Sequence, residues 1–249
     1  MSDYKKELYE NYVTTHTAHR KGAGSLLDFN NRVYSYDREM GKFLPAQSEA
    51  KILDIGCGNG SIVWWLQQKG YGQSGGIDIS PEQIKIGQDI GVKNIVCGDL
   101  FAFLEKNTAQ YEVIIARDVL EHFSKPDVVR ILKLCQSALS PTGKLIVHVP
   151  NGESPFFGRV RYGDYTHELA FTRNTIMQIG QEYGFAQVDV YQAFSRGYGA
   201  LEIIRQMMWW CTQLFYKILL FSETGGVPYI VSQNLVAVLH KNKSHGQQQ

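Results

Sequence analysis

The stretch KILDIGCGNG (residues 51–60) decides how the rest of the chain is read. A short apolar run, Ile52, Leu53 and Ile55, carries a single acid, Asp54, and then Gly56, Gly58 and Gly60 stand at alternate positions. An apolar run this short, bounded by glycine, reads as a buried strand. Three glycines straight after it permit positive φ and let a ligand approach the backbone closely. The dinucleotide fingerprint G-x-G-x-x-G wants its third glycine one residue later, where Ser61 stands, and the Gly-Lys-Ser/Thr of a P-loop does not follow. A phosphate-cradling loop is therefore the weaker reading.

Working outward, the pattern alternates. SIVWWLQQKG reads as a helix closed by Gly70, and SGGIDI as a second strand. SPEQIKIGQDIG reads as a helix with Ser80 as N-cap, Pro81 at its first position and Gln83 completing a capping box. KNIVCG, YEVIIAR and GKLIVHVP read as further strands, separated by the helices DLFAFLEK and KPDVVRILKLCQSALS, the second stopped by Pro141. Regular strand–helix alternation with nearly continuous apolar strands predicts an α/β fold, a mostly parallel sheet with helices on both faces. Upstream, residues 25–44 carry helical periodicity ended by Pro45. Downstream, TRNTIMQIGQEYGF reads as a helix capped by Thr172, AQVDVYQAF as a sixth strand and SQNLVAVLHK as a seventh.

Composition narrows the function. The 249 residues are 44% hydrophobic and 20% charged, with a formal net charge of +1, so a large core is expected and bulk electrostatic binding of nucleic acid is not. Four scattered cysteines, Cys57, Cys97, Cys135 and Cys211, form no C-x-x-C pair and read as buried free thiols in a reducing compartment. The first residues carry no apolar segment of the secretory kind, and the expected location is cytoplasmic, or peripheral to the inner face of a membrane.

The acids discriminate among ligands. Asp78 ends the second strand, where a carboxylate accepts ribose hydroxyls. Asp99 follows the third strand, at the place of a base edge, and also reads as a helix N-cap. Asp54 beside the glycines suits an ammonium group. A positively charged amino-acid nucleoside satisfies this set better than a pyrophosphate does.

ILDIGCGNG, GIDIS, CGDL and VIIARDVLEH resemble, in order, the motifs of class I S-adenosylmethionine-dependent methyltransferases over about residues 51–150. The resemblance implies a Rossmann-like seven-stranded sheet with an antiparallel last strand and S-adenosyl-L-methionine as cofactor. It implies that Gly56, Gly58 and Gly60, with Asp54, line the methionine part. Asp78, with Ile79 beside it, would hold the ribose, Asp99 and Leu100 would flank the adenine, and Arg117 and Asp118 would lie near the reactive methyl. The layout of NGESPFFGRVRYGDYTHELAFT and of ETGG…NLVAVLHK also resembles bacterial methyltransferases of surface-polysaccharide assembly, which implies a sugar hydroxyl or amine on a nucleotide- or lipid-linked glycan. Residues 1–45 resemble a helical lid, 46–195 and 228–241 a catalytic core, 196–227 a hydrophobic insertion and 242–249 a disordered tail.

A hydroxyl acceptor must lose a proton, and a nearby His or carboxylate is the usual agent. The candidates are His167, the leading one, His122 and Asp164, with His148 read as a satisfied sheet histidine. No metal is called for: Asp164, His167 and Glu168 could ligate one, but a metal site usually needs more ligands. In LEIIRQMMWWCTQLFYKILLF (residues 201–221), Glu202, Arg205, Gln206, Gln213 and Lys217 share one narrow sector and the rest is apolar. Packing within the protein or a homodimer is the default cover for that face, and peripheral contact with a membrane the alternative. Two other functions stay open: a methyltransferase of a quinone-like or lipid acceptor, and a silent nucleoside-binding scaffold.

Overall fold

The computed structural model describes residues 8, 13, 24–193, 200–226 and 230–242. The terminal tail, and the N-terminal aromatic segment expected to form a lid (Val13 and Leu8 aside), lie outside the described residues.

The helix α1 (Leu26–Glu39) begins on Ser25, whose hydroxyl accepts from the Asp28 N–H, and a 3-10 turn (Gly41–Phe43) leads out of it. The alternating core then follows: β1 (Ile52–Ile55), α2 (Ser61–Gln68), β2 (Ser74–Asp78), α3 (Pro81–Ile90), β3 (Ile95–Cys97), α4 (Leu100–Glu105), β4 (Tyr111–Arg117), a 3-10 turn (Leu120–His122), α5 (Lys125–Ala138) and β5 (Leu139–Pro150). After β5 come α6 (Phe157–Arg161), α7 (Arg173–Glu182), β6 (Gln187–Gln192), α8 (Ala200–Thr224) and β7 (Asn234–His240).

The seven strands form one sheet in the order β3-β2-β1-β4-β5-β7-β6. β1 pairs in parallel with β2 and β4, while β7 runs antiparallel between β5 and β6. This is the expected fold class. Strand order reverses between β1 and β4, so α2 and the helices after β4 leave on opposite faces and open a crevice at the carboxyl ends of those two strands. β1 is buried at all four positions. Its alternate residues feed two cores: Leu53 and Ile55 join Ile114, Ile131 and Leu145 on one face, and Ile52 joins Trp65, Ile115 and Tyr36 on the other. Period-two alternation in a sheet covered on both sides produces this division.

Four details depart from the sequence reading. Ser80 caps α3 through its hydroxyl, but its own N–H donates to Asp78 Oδ1 at 2.8 Å, so Gln83 does not close a capping box there; Thr172 and Thr175 form one at α7 instead. The Asp78 carboxylate sits two residues back and takes that donor first. α5 stops at Ala138, before Pro141, because Leu139 already lies in extended conformation and pairs with Tyr111. Two of the four cysteines, Cys97 and Cys211, are exposed rather than buried. Finally, α8 is not packed by its apolar face. Glu202 is only 5% exposed and Trp209 is half-buried, whereas Ile203, Met207, Leu214 and Ile218 are exposed, as is Trp210 at 65%. Glu202 turns inward while the apolar sector, and Arg205 with it, stays exposed, so packing among the described residues does not cover that face. Among the described residues no helix is long and apolar enough to cross a membrane.

Candidate active site

Two backbone features build the cleft. Gly56, Gly58 and Gly60 all have positive φ, and a Cβ on Gly56 would stand 2.6 Å from Val119 Cγ2. That glycine lets the first loop lie against the residues after β4. Asp118, though not glycine, also sits at φ 57, which turns the chain sharply out of β4 and sets its carboxylate over the sheet end. Between the two turns lies a cleft of about 230 Å³ whose lining includes Asp54, Gly56, Gly58, Arg117 and Asp118.

The floor of the cleft is charged. Asp54, 1% exposed, keeps Oδ2 without a hydrogen-bond partner, and burial, reinforced by the nearby Asp78 charge, pushes its carboxyl well above the usual range. Arg117 reaches Asp118 Oδ2 at 2.5 Å through Nη1 and Glu39 Oε2 at 3.2 Å through Nη2, and its buried Nε has no partner. Burial works against the guanidinium charge, but Asp118 and Glu39 outweigh it and hold Arg117 more firmly protonated than usual. Asp118 accepts at Oδ1 from, or shares a proton with, His148 Nδ1 at 2.6 Å. Burial opposes its charge as well, yet Arg117 and His148 keep the carboxyl far below the usual range. Its side chain is nonetheless 46% exposed, on the open side of the cleft.

The residues expected to meet a nucleoside divide. Asp54, Gly56, Gly58, Arg117 and Asp118 come together on the cleft wall; Gly60, Asp78, Ile79, Asp99 and Leu100 are not part of that lining. Gly60 is the left-handed N-cap of α2 and packs toward Val92 and Ile95. Asp78 accepts the Gly58 N–H at Oδ2 and the Ser80 N–H at Oδ1, both at 2.8 Å, which ties the glycine loop to α3. The Ile79 N–H also bonds to this carboxylate, which after three backbone donors keeps one lone-pair site for a hydroxyl. Asp99 caps α4 by accepting the Ala102 N–H at 2.8 Å.

The acceptor candidates form a separate group beside Asp118. His122 Nδ1 lies 2.7 Å from Thr166 Oγ1, and that hydroxyl donates to Asp164 Oδ1 at 2.6 Å. His167 Nδ1 lies 3.0 Å from the Val160 carbonyl, and the two imidazoles meet edge to face with centroids 4.6 Å apart. The long loop after β5 is held there by its backbone: the Glu168 and Leu169 N–H groups donate to the Glu121 carbonyl, and Arg161 donates to the His167 and Glu168 carbonyls. His148 is buried in β5 and engaged by Asp118, as a satisfied sheet histidine would be.

Four contributors escaped the sequence reading. Arg32, Tyr36 and Glu39 lie at i, i+4 and i+7 of α1, hence on one face, and that face closes the cleft beside Arg117. Tyr36 stacks under the Arg117 guanidinium at 5.6 Å and its hydroxyl lies 2.8 Å from Ser61 Oγ. The helical periodicity of residues 25–44 was visible, but not what this face would meet. Glu121 also escaped: it is 1% exposed, its Oε2 has no partner, and burial, together with the Asp118 charge, raises its carboxyl well above the usual range.

Comparison with known proteins decides the family: a methyltransferase domain is matched over residues 29–190, well over half of the chain. The chain belongs to the methyltransferase domain family. Among curated proteins, the methyltransferase domain is 31% identical over 109 residues to a "Ubiquinone biosynthesis O-methyltransferase" of Xylella fastidiosa, which covers 42% of this chain and 43% of the relative. The chain thus matches less than half the length of such relatives. Among solved structures, a SAM dependent methyltransferase from Archaeoglobus fulgidus superposes with a TM-score of 0.62 at 20% identity, over 86% of this chain and 96% of that one. Haemonchus contortus "Phospholethanolamine N-methyltransferase 2", in complex with phosphomonomethylethanolamine and S-adenosylhomocysteine, gives 0.57 at 14% identity, over 94% and 60%. At such identities these likenesses show a shared methyltransferase fold.

The cleft of this methyltransferase fits a sulfonium amino acid. Asp54 and Arg117 line the same cavity, and each keeps one buried polar atom without a partner, a carboxylate oxygen and an N–H, as an ammonium and a carboxylate on one ligand suit. A Cβ at Gly58 would meet nothing closer than Gln83 Oε1 at 3.8 Å, so the loop leaves room for a ligand against its backbone.

Proposed function

We propose that the chain is an S-adenosyl-L-methionine-dependent methyltransferase acting on a small hydroxylated or amino acceptor, a sugar of a nucleotide- or lipid-linked glycan being the leading class. The observation that carries this reading is that Asp54 and Arg117, each with a buried polar atom lacking a partner, line one cleft with Asp118, on which His122 of the His122–His167 group acts electrostatically. The cofactor supplies an electrophilic methyl on a positively charged sulfur. Asp54 would receive its ammonium, Arg117 its carboxylate, Asp78 its ribose hydroxyls and the Asp99–Leu100 turn its base. Asp118, with Gly56 and Gly58, shapes the wall beside the methyl. When bound, the cofactor would give its methyl to the acceptor atom and keep the bonding pair on sulfur, and the imidazole group would receive the acceptor proton. The chain's main work is alignment and exclusion of water. His122, with Nδ1 held by the Thr166–Asp164 relay, and His167, with Nδ1 held by Val160, are positioned to serve at the acceptor proton.

A quinone-like or lipid acceptor is the second reading. The outward apolar face of α8 and the printed name of the Xylella relative favour it. Turnover decides: the chain is incubated with S-adenosylmethionine and panels of nucleotide sugars, lipid-linked sugars and quinols, and S-adenosylhomocysteine release is followed. Turnover of a sugar class supports the first reading and of a quinol class the second. Tight S-adenosylhomocysteine binding without turnover of any acceptor would favour a silent scaffold.

A further inference from the structure

We propose that Glu121, His122 and His167 bind one divalent first-row transition cation, of the kind Zn2+ and Co2+ exemplify, at the acceptor end of the cleft. Whether the ion binds does not depend on the methyltransferase reading; only its use for holding an acceptor oxygen does.

The geometry is that of a three-ligand centre. A carboxylate oxygen of Glu121 and a ring nitrogen of each histidine lie within 4.8 Å of one another. Bonds of about 2.1 Å at tetrahedral angles would put the ligand atoms about 3.4 Å apart, so side-chain shifts of about an ångström close the set. Two imidazoles and one carboxylate leave one or more positions open for water or substrate, as catalytic rather than structural sites do.

Two independent features say that the group is arranged for a ligand. The first is the orphaned Glu121 Oε2, buried with no hydrogen-bond partner, which is a costly condition unless something neutralises it. The second is how the rings are held. His167 Nδ1 is engaged by the Val160 carbonyl, and His122 Nδ1 by Thr166 Oγ1, whose own proton goes to Asp164. A carbonyl can only accept, and a hydroxyl that donates to a carboxylate accepts from the ring, so both imidazoles carry their proton on Nδ1. A neutral ring held this way carries its lone pair on Nε2, the tautomer that a metal needs, and the Nδ1 partners fix the ring orientation. Asp164 and Glu168, which the sequence offers as ligands alongside His167, play other parts: Asp164 stands behind Thr166, and the Glu168 backbone pins the loop to Glu121.

The location gives the ion a task. Both Glu121 and His122 act electrostatically on Asp118, which lines the cleft. An ion held there would take a hydroxyl oxygen of the acceptor in an open position and make its proton easy enough to lose to water, so that with the ion bound the two imidazoles serve as ligands instead of receiving that proton. That selects hydroxylated acceptors, vicinal diols above all, over simple amines.

The test is a Co2+ titration of metal-stripped protein followed by visible absorption, with Zn2+ competition, on wild type, His167→Ala, Glu121→Gln and His240→Ala. The expected result is one Co2+ per chain in a low-coordinate environment, displaced by Zn2+. His167→Ala and Glu121→Gln should each weaken it about 10- to 100-fold, and His240→Ala, on β7 opposite Lys144 near the start of β5, should not. Calorimetry with S-adenosylhomocysteine on the same samples reads the cofactor site separately and should change less than threefold. Should Glu121→Gln not fold, His122→Ala replaces it, since that ring is only half-buried. No stoichiometric uptake by wild type, or uptake unaffected by the ligand substitutions, overturns the proposal. Metal uptake without S-adenosylhomocysteine binding would leave the ion in place and remove the cofactor reading instead.

Discussion

His148 and Asp118 lock the ends of β5 and β4 together twice: the imidazole Nδ1 lies 2.6 Å from Asp118 Oδ1, and the Asp118 N–H donates to the His148 carbonyl at 3.0 Å. The same carboxylate faces Arg117 with its other oxygen. One side chain thus joins strand register, the left-handed turn after β4 and the charge on the cleft floor.

Replacing Asp118 by Asn should therefore affect binding more than folding. The amide keeps the shape but leaves Arg117 with Glu39 as its remaining anionic partner. Because Asp118 is half open to solvent, urea unfolding should show a loss of only about 1–2 kcal/mol. Affinity for S-adenosylhomocysteine, read by calorimetry, should fall at least about tenfold.

Asp54 should make stability and binding respond to pH in a defined direction. An acid whose carboxyl is raised by burial holds more protons folded than unfolded. Stability therefore declines as pH rises above the unfolded value of about 3.9, until the folded group has also ionised. Asp54→Asn should flatten that slope in urea titrations run at several pH values. A cationic ligand pulls the group back toward ionisation, so binding of S-adenosylhomocysteine through its ammonium should release protons. The binding heat will then vary with buffer ionisation enthalpy in wild type and lose that dependence in Asp54→Asn.

Gly56 and Gly58 should separate folding from binding. Gly56→Ala drives a Cβ to 2.6 Å from Val119 at φ 64, and should cost about 2–4 kcal/mol from combined strain and overpacking. Gly58→Ala, at φ 53 with its nearest neighbour 3.8 Å away, should cost about 1–2 kcal/mol while occupying ligand space. Unfolding midpoints should rank Gly56→Ala as the less stable, and calorimetry should rank Gly58→Ala as the weaker binder relative to its stability loss.

Thr166→Val tests the relay behind His122. The isostere keeps volume but removes the hydroxyl linking Asp164 to Nδ1. kcat should fall about tenfold or more, with KM and cofactor affinity nearly unchanged, because the hydroxyl orients a ring and touches no cofactor. An equal loss in KM would place Thr166 in the acceptor-binding surface instead.

Trp210→Gln tests the outward face of α8. A tryptophan already 65% exposed loses little when made polar, so the urea midpoint should move by less than about 0.5 kcal/mol. A loss of about 3–5 kcal/mol would mean that the side chain is packed after all. Sedimentation and liposome flotation of the two proteins then show whether a second copy or a lipid surface meets that face.

From residues 51–150 alone, the parallel sheet, the glycine turn and the family motifs were legible, because buried strands and their turn chemistry are local: Ile52, Leu53 and Ile55 must be covered on both sides, and Gly56 must take a φ that other residues resist. The antiparallel seventh strand came with the family resemblance, not from any local signal. What the chain itself could not disclose depends on which distant groups meet. Glu121 reads as an ordinary helix-turn acid until the loop after β5 folds back and brings His167 against His122. Glu39 and Tyr36 read as helix residues until α1 lies across Arg117. The outward turn of the apolar sector of α8 is likewise a tertiary matter, since periodicity identifies a face but not what it faces. Local chemistry determined the elements and the glycine-loop end of the crevice. Long-range packing decided the acceptor end, because contacts made across more than forty residues leave no periodic trace in the sequence.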